Sequence, residues 1–484
     1  MIPIFNNPSA LEQKAKETFL IPPFIMMENA AHALAEVVQS YNPKNKKSVH
    51  IFCGKGNNGA DGLALARLLQ SKMDITIYCP IIPTTEEGMA QYKMTEKLGL
   101  NIQKSYQAFF SSEYKTETII IDCIYGIGFH GQLPQEIQTL FEKLNSLKGS
   151  IKIACDIPSG LGSVNSFIAD CTVTMGQLKS ALFTDKAKSL CGKIITADLG
   201  ISREQFESTM ESESWLITED DIKLPFRKNK SANKGTYGHT VVFAGEKAGA
   251  AIISASAAIK FGSGLTTLYT TEKSNLQQFK ISPELMISTK LPAKTTAISI
   301  GSGLGQLSEN DIETFISWFE HTNNPACVLD ADLFSYINIK EILDRLNKVP
   351  KARIVLTPHL KELQTLVKAL DFPSEFTNCE LSDLNRTLIG KLFTSKYPNC
   401  TLVMKSAITY IANDNNTYIC NIGSQCLAKG GSGDVLAGMI AALLSQGYSS
   451  KDAAISAVYH HAKVASAFGS DSYKLSPETL INNL

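Results

Sequence analysis

Short apolar runs, each stopped by glycine, proline or polar residues, dominate the first two hundred positions. Val49–Cys53 halts at Gly54, and Leu63–Gln70 then repeats its apolar positions at helical spacing. Ile75–Tyr78, Ile119–Asp122 and Ile151–Cys155 are further runs rich in β-branched residues. Continuous apolar strands alternating with helices predict a parallel sheet covered on both faces, because a strand buried on both sides has no polar face to show. From Arg203 to Ser214 the chain turns polar, and a basic run, Arg227-Lys228-Asn229-Lys230, reads as a solvated segment. A second series follows. Thr240–Ala244 reads as a strand and Ala250–Phe261 as a helix. Leu265–Thr270, Ala297–Ile300, Cys327–Leu329, Ile354–Leu356 and Leu402–Met404 read as strands, and Val435–Ser445 and Ala453–Phe468 as helices. Two α/β domains are expected, residues 1–212 and 213–484, since 484 residues exceed one ordinary core.

Composition narrows the function classes. Lys plus Arg and Asp plus Glu both number 46, so the formal charge is zero, which gives no support for a nucleic-acid or anionic-membrane binder. No apolar run reaches the roughly 18 residues needed to span a bilayer. Met1–Ala10 has no basic segment leading into an apolar core, so no secretory signal is expected. Eleven scattered cysteines without a CxxC pair indicate neither a zinc ribbon nor a redox motif. A cytoplasmic location is expected.

Three loops in the first half carry chemistry. Gly54-Lys55-Gly56-Asn57-Asn58-Gly59-Ala60-Asp61-Gly62 follows a strand and opens a helix. Glycines there allow a tight turn and close approach to a ligand, and a helix N-terminus presents free N–H groups. The spacing fits GxGxxG, but the second strand ends Tyr78-Cys79-Pro80, without the acid that holds a ribose, and Asp74 precedes it. A standard NAD-dependent dehydrogenase is therefore disfavoured. The second loop runs Asp122-Cys123-Ile124-Tyr125-Gly126-Ile127-Gly128-Phe129-His130-Gly131, and the third is Asp156-Ile157-Pro158-Ser159-Gly160. All three lie at carboxyl ends of predicted strands, where open α/β sheets bind ligands. Asn58, Asp122 and Ser159 can converge as oxygen ligands for a hard cation, while Asp156 and Asp61 act on a substrate. Either Asp122 or Asp156 alone also reads as a turn or helix cap.

With Met27-Glu28-Asn29-Ala30-Ala31 upstream, these loops resemble the epimerase domain of the bifunctional NAD(P)H-hydrate repair enzymes, over roughly Leu11 to Leu199. The resemblance implies a Rossmann-like three-layer αβα domain. It implies substrate contacts at Asn57, Asn58, Gly59, Ala60 and Asp61, at Gly126, Ile127, Gly128, Phe129, His130, Gly131 and Gln132, and at Asp156. It implies potassium on Asn58, Asp122 and Ser159. The family has a second glycine where this chain has Ala60, and that methyl group is expected to crowd the ligand. Lys179 stands where the family often has a lysine, and is read here as a surface lysine without a role.

In the second half, Lys429-Gly430-Gly431-Ser432-Gly433-Asp434 precedes a long apolar helix. Free amides and the helix dipole can stabilise phosphoryl oxygens, and Asp434 can accept a proton from an attacking hydroxyl. A lone GxGD also reads as a plain helix cap. No GxxxxGK[ST] loop or protein-kinase motif set is present, and His460-His461 lacks HExxH spacing, so no metal is assigned to it. Further small or polar loops occur at Gly249-Ala250-Ala251, Gly301-Ser302-Gly303-Leu304-Gly305, Asp330-Ala331-Asp332, Thr357-Pro358-His359 and Lys405-Ser406-Ala407.

From about Ser214 to the C-terminus this run resembles the dehydratase domain of the same family, a ribokinase-like αβα fold. The resemblance implies hydrate contacts at Ala250, Gly303, His359 and Asp434, and nucleotide contacts at Lys405, Ser406, Ala407, Ile408, Thr409 and Gly433. It implies ADP as phosphoryl donor, with magnesium, and catalytic roles for Asp434, Asp156 and Asp61. Substrates are expected to be NADHX and NADPHX, with no nucleic-acid or membrane partner and a homo-oligomeric assembly. The family usually has Lys-Gly-Ala at 405–407 and Asp-Ala-Asp-Ala-Leu at 330–334, where this chain has Ser406, Leu333 and Phe334. The competing reading is a small-molecule kinase of the ribokinase superfamily with a regulatory N-terminal domain.

Overall fold

In a computed structural model that describes residues 1–44, 47–111, 117–380 and 385–484, the chain folds as two units: Pro3–Ser212, and Glu213–Leu484 with Met1–Ile2. The first unit is built on seven parallel strands in the order Ile102–Gln103, Ile75–Tyr78, Ser48–Cys53, Thr118–Cys123, Ile151–Cys155, Cys171–Met175 and Lys193–Ala197. Successive strand side chains point to opposite faces, so one strand feeds two cores. Val49, Ile51, Ile119 and Ile121 pack with the helices Pro23–Tyr41 and Asn57–Leu69. Phe52 and Ile120 pack with Ile137, Leu140, Phe141 and Leu144 of the helix Gln135–Ser146. The result is a three-layer αβα sandwich. From Ser48–Cys53 the chain builds outward to Ile75–Tyr78 and Ile102–Gln103 on one side, then returns to add Thr118–Cys123 on the other, which makes the carboxyl end of Ser48–Cys53 the topological switch point where such sheets open a crevice.

The second unit repeats the plan. Met286–Ser288, Leu265–Thr270, His239–Ala244, Ala297–Ile300, Ala326–Leu329, Arg353–Leu356 and Cys400–Met404 run parallel in that order. The sheet continues through an antiparallel hairpin, Thr409–Asn413 and Asn416–Cys420, with Ser214–Leu216 beyond it. The hairpin was not expected from periodicity. Its turn, Asp414-Asn415, has φ of 48° and 59°, the left-handed pair that a two-residue hairpin loop requires. The helix Ser432–Ser445 is buried on nearly every side and packs against Ala248–Lys260. Gly438 makes that approach possible, since a Cβ there would sit 2.0 Å from the Ser254 carbonyl oxygen. On helix Ile339–Asn347 only Ile339, Ile342, Leu343 and Leu346 are buried, one apolar stripe over the sheet.

The helix expected at Leu63–Gln70 begins at Asn57, so the asparagines and Asp61 occupy its first turns. The strands Cys171–Met175 and Lys193–Ala197 were also not anticipated. Among the described residues, no helix is long and apolar enough to cross a membrane.

Candidate active sites

The crevice of the first unit holds a cavity of about 540 Å³, lined by Asn57, Asn58, Asp61, Tyr125, Gly126, Ile127, Gly128, Phe129 and Asp156, together with Glu12, Lys16, Met26 and Met175. Asp156 follows the strand Ile151–Cys155 with φ +69°, a left-handed conformation that costs a non-glycine residue on the order of 1 kcal/mol or more. Its contacts hold it there. Asp156 N–H donates to the Val173 carbonyl at 2.7 Å, and its Oδ2 accepts from Ile127 N–H at 3.2 Å. Lys179 Nζ lies 2.6 Å from Asp156 Oδ1.

Lys179 corrects the sequence reading. Its side chain is 1% exposed, and the ammonium also donates to Thr174 Oγ1 at 2.8 Å and to the Met175 carbonyl at 3.0 Å. A lysine is buried when an opposite charge and acceptors replace its water, and Asp156 supplies the charge. Asp61 lies in the same cavity. Burial, then the Asp156 and Glu12 charges, push its carboxyl well above the ordinary range. One site thus holds an acid paired to a lysine and a second acid raised well above the ordinary carboxylate range.

Asp122 stands at the end of the strand Thr118–Cys123. It accepts from Ser159 Oγ at 2.6 Å, Ser159 N–H at 2.7 Å and Ile124 N–H at 3.2 Å. Burial nevertheless lifts its carboxyl to about 6, against those hydrogen bonds. Asn58 is packed against Gly126, and both of its buried side-chain polar atoms lack a partner among the described residues. A buried amide oxygen left unpaired is costly unless a ligand completes it.

Other expected contacts fall differently. Gly59 and Ala60 are buried in the helix and do not line the cavity. A Cβ on Gly59 would lie 1.9 Å from the Gly54 carbonyl oxygen, so the glycine closes the loop on itself. Ala60 faces the position of Gly88 instead, so its methyl packs between helices rather than crowding a ligand. His130, Gly131 and Gln132 are exposed and lie outside the cavity lining.

In the second unit the ends of four strands meet the first turn of the helix Ser432–Ser445. Asp330 is 2% exposed and ties three loops together. It accepts from Thr357 Oγ1 at 2.6 Å, Lys405 Nζ at 3.0 Å and Ser302 Oγ at 3.4 Å. Asp434 faces this cluster from the helix. Burial and then the Asp330 charge raise its carboxyl to about 6, while a Ser302 hydrogen bond and Lys405 pull the other way. Lys405 reaches across to Gly433, whose missing Cβ would lie 3.3 Å from Nζ. Gly303, at φ +64°, abuts Ala250, since a Cβ there would come 2.9 Å from the Ala250 methyl. Ala250, Gly303, Lys405, Gly433 and Asp434 therefore sit around one strand-end region. Sequence reasoning did not single out Asp330 from its motif or Ser302 from its loop as partners of Asp434. The acid after a strand was the available signal.

His359 caps the helix Leu360–Ala369, with Nδ1 accepting from the Lys361 and Glu362 amides at 3.2 Å each, and its side chain stays 53% exposed. Ile408 is a core side chain whose carbonyl accepts from buried Arg386 at 2.5 Å, so only its backbone can face a nucleotide. Ser406 and Thr409 are half-buried and Ala407 is exposed. His461 is buried and donates through Nε2 to the Ser432 carbonyl at 3.0 Å, bracing the loop before Asp434.

A helix-mouth acid raised to about 6 beside a lysine, and in the other unit a lysine-paired acid beside a second buried acid, mark two candidate active sites at the strand ends of an α/β protein. Residues 240–484 match the family model for NAD(P)H-hydrate dehydratase, and residues 23–181 match that for the YjeF-related protein N-terminus. The bifunctional NAD(P)H-hydrate repair enzyme of Helicobacter pylori is 36% identical, over 100% of this chain and 99% of that protein. That of Dictyoglomus turgidum is 28% identical over 93% and 90%. Among solved structures, an ADP/ATP-dependent NAD(P)H-hydrate dehydratase of Bacillus subtilis, crystallised with ATP and magnesium, is 25% identical. It covers 53% of this chain and 91% of that one, with a TM-score of 0.43. The chain belongs to the family of bifunctional NAD(P)H-hydrate repair enzymes. It joins an epimerase and a dehydratase for hydrated nicotinamide cofactors in one polypeptide.

Proposed function

We propose that the first unit interconverts the R and S epimers of NADHX and NADPHX, and that the second dehydrates the S epimer using ADP, with release of AMP and phosphate. The hydrate carries a hydroxyl on C6, next to the ring nitrogen. Hydroxide leaves poorly, but a phosphorylated hydroxyl leaves readily as phosphate when the nitrogen lone pair pushes it out. Asp434 takes the hydroxyl proton as the oxygen attacks the terminal phosphorus of ADP. The Gly433 amide and its first-turn neighbours face the phosphoryl oxygens, with Lys405 beside them. The backbone of Lys405 to Thr409 borders the nucleotide, and Ala250, Gly303 and His359 border the hydrate. The observation that carries this reading is the placement of Asp434, at about 6, over the Asp330–Lys405 pair. The deciding experiment is Asp434→Asn in the full chain. ADP-dependent recovery of NAD(P)H should vanish while epimerisation persists, and dehydration at the normal rate overturns the assignment.

In the first unit, Asp156 and Asp61 move the protons, with Lys179 paired to Asp156 and anchoring it. Asp156→Ala should stop epimerisation and leave dehydration of the S form intact. Potassium fits Asn58, Asp122 and Ser159, because an unpartnered buried amide oxygen and a buried carboxylate are a hard-oxygen set. When bound, it would supply positive charge beside the reacting ring. For magnesium, no three His, Cys, Asp or Glu side chains converge as a cage among the described residues. It would enter on the diphosphate, with water completing its shell. A cytoplasmic setting suits eleven cysteines, ten of them buried. A homo-oligomer is the assembly we assign, to be read by light scattering.

A further inference from the structure

One cavity-lining acid has no part in the chemistry above. Glu12 lies on the helix Pro8–Phe19, which is fixed to the core by Leu11 and Ala15 and capped by Asn7. That helix precedes the matched segment of the N-terminal family model, which begins at residue 23. Glu12 lines the same cavity as Asp61 and Asp156, with Lys16 one helical turn further along. Among the described residues, no hydrogen bond or ion pair engages its carboxyl. A carboxyl held in a cavity wall without a partner contributes nothing to the fold that a glutamine would not.

The charges around it are few. Lys179 and Asp156 neutralise one another at 2.6 Å. Asp61 then faces Glu12 across shared space, with Lys16 on Glu12's own helix and Lys55 and Glu87 also in the cavity lining. Burial raises Glu12, helped by Asp156 and opposed by Lys179 and Lys16, while Glu12 in turn raises Asp61. Two carboxyls that repel in a poorly solvated site share a proton.

We propose that Glu12 is a third proton-handling carboxyl of the epimerase cavity, keeping with Asp61 one transferable proton beside the substrate's C6 hydroxyl. The inference rests on the epimerase reading of this unit. A carboxylic acid O–H breaks as its proton goes to the hydroxyl, and the C6–O bond breaks to release water. The ring nitrogen's lone pair forms the C=N bond of the resulting cation. Water then adds to either face of C6 and returns its proton to the carboxylate. Nothing is oxidised or reduced, and the carboxyl ends as it began.

The test is Glu12→Gln in the full chain, with the two epimers separated chromatographically in the absence of ADP. The turnover rate for epimerisation should fall by at least about tenfold, with KM changed less than about twofold. The alkaline limb of its pH profile should move to lower pH, because Asp61 has lost the neighbouring charge that raises it. Glu12→Ala should be partly rescued by added formate, and the thermal unfolding transition of the first unit serves as the folding control. Wild-type turnover and pH profile in Glu12→Gln overturn the proposal. So does a loss with an unmoved profile and no formate rescue, which marks a structural role. A wild-type chain that does not epimerise removes the reading of the unit itself, an outcome distinct from an active wild type and an equally active variant.

Discussion

Lys179 and Asp156 form a buried ion pair of 2.6 Å, with the lysine side chain 1% exposed. The pair anchors one of the two cavity acids in place. Asp156 is held by its lysine and its left-handed backbone, while burial, then the Asp156 and Glu12 charges, raise the Asp61 carboxyl well above the ordinary range.

Lys179→Met should therefore do two things. It leaves a buried carboxylate without its counter-charge, which costs about 3–5 kcal/mol and lowers the unfolding temperature of the first unit. It also ends epimerisation, because Asp156 loses the contact that anchors its carboxyl in the cavity. Calorimetry and epimer separation read the two effects, and ADP-dependent dehydration should stay within about twofold.

Dehydration should rise with pH through about 6 and level off above it, because Asp434 acts as a base only when ionised. Asp434→Asn should lower kcat by about 10²–10⁴-fold and erase that limb. A pH profile of kcat on S-NADHX with saturating ADP checks both.

Asp122 is raised to about 6 in the folded protein, above its usual unfolded value. The folded state then binds the extra proton between roughly pH 4 and 6, so this group's contribution to stability is present at low pH and lost as pH rises through about 6. Potassium should offset that loss near neutrality, and Asn58→Ala should abolish the offset. Melting curves across pH, with potassium or with a large organic cation, measure it.

Gly59→Ala should destabilise the first unit by about 1–3 kcal/mol or prevent its folding, since the new methyl meets the Gly54 carbonyl at 1.9 Å. Ala60→Gly should cost only about 0.5–1 kcal/mol of helix stability and leave epimerisation kinetics unchanged. Urea unfolding of the two variants separates the roles of these adjacent residues.

The strands and the three glycine-rich loops were legible because their residues are local. Ile75–Tyr78, Ile151–Cys155, Leu265–Thr270 and Ala297–Ile300 appear where apolar runs end at turn-forming residues. The short strands Cys171–Met175 and Lys193–Ala197 were not read, for their mixed threonine and lysine content lacks a continuous apolar run.

By itself the sequence determined two parallel α/β layers with acids at strand ends, since hydrophobic period and glycine position act within a few residues of chain. Tertiary structure decided the state of those acids. Asp61 is raised well above the ordinary carboxylate range by burial, then by the charges of Asp156 and Glu12, which come from a strand end and an N-terminal helix to share its cavity. Lys179 is buried because Asp156 waits for it. Charge in a low-dielectric interior depends on distance in space and on lost water, and no spacing along the chain encodes either.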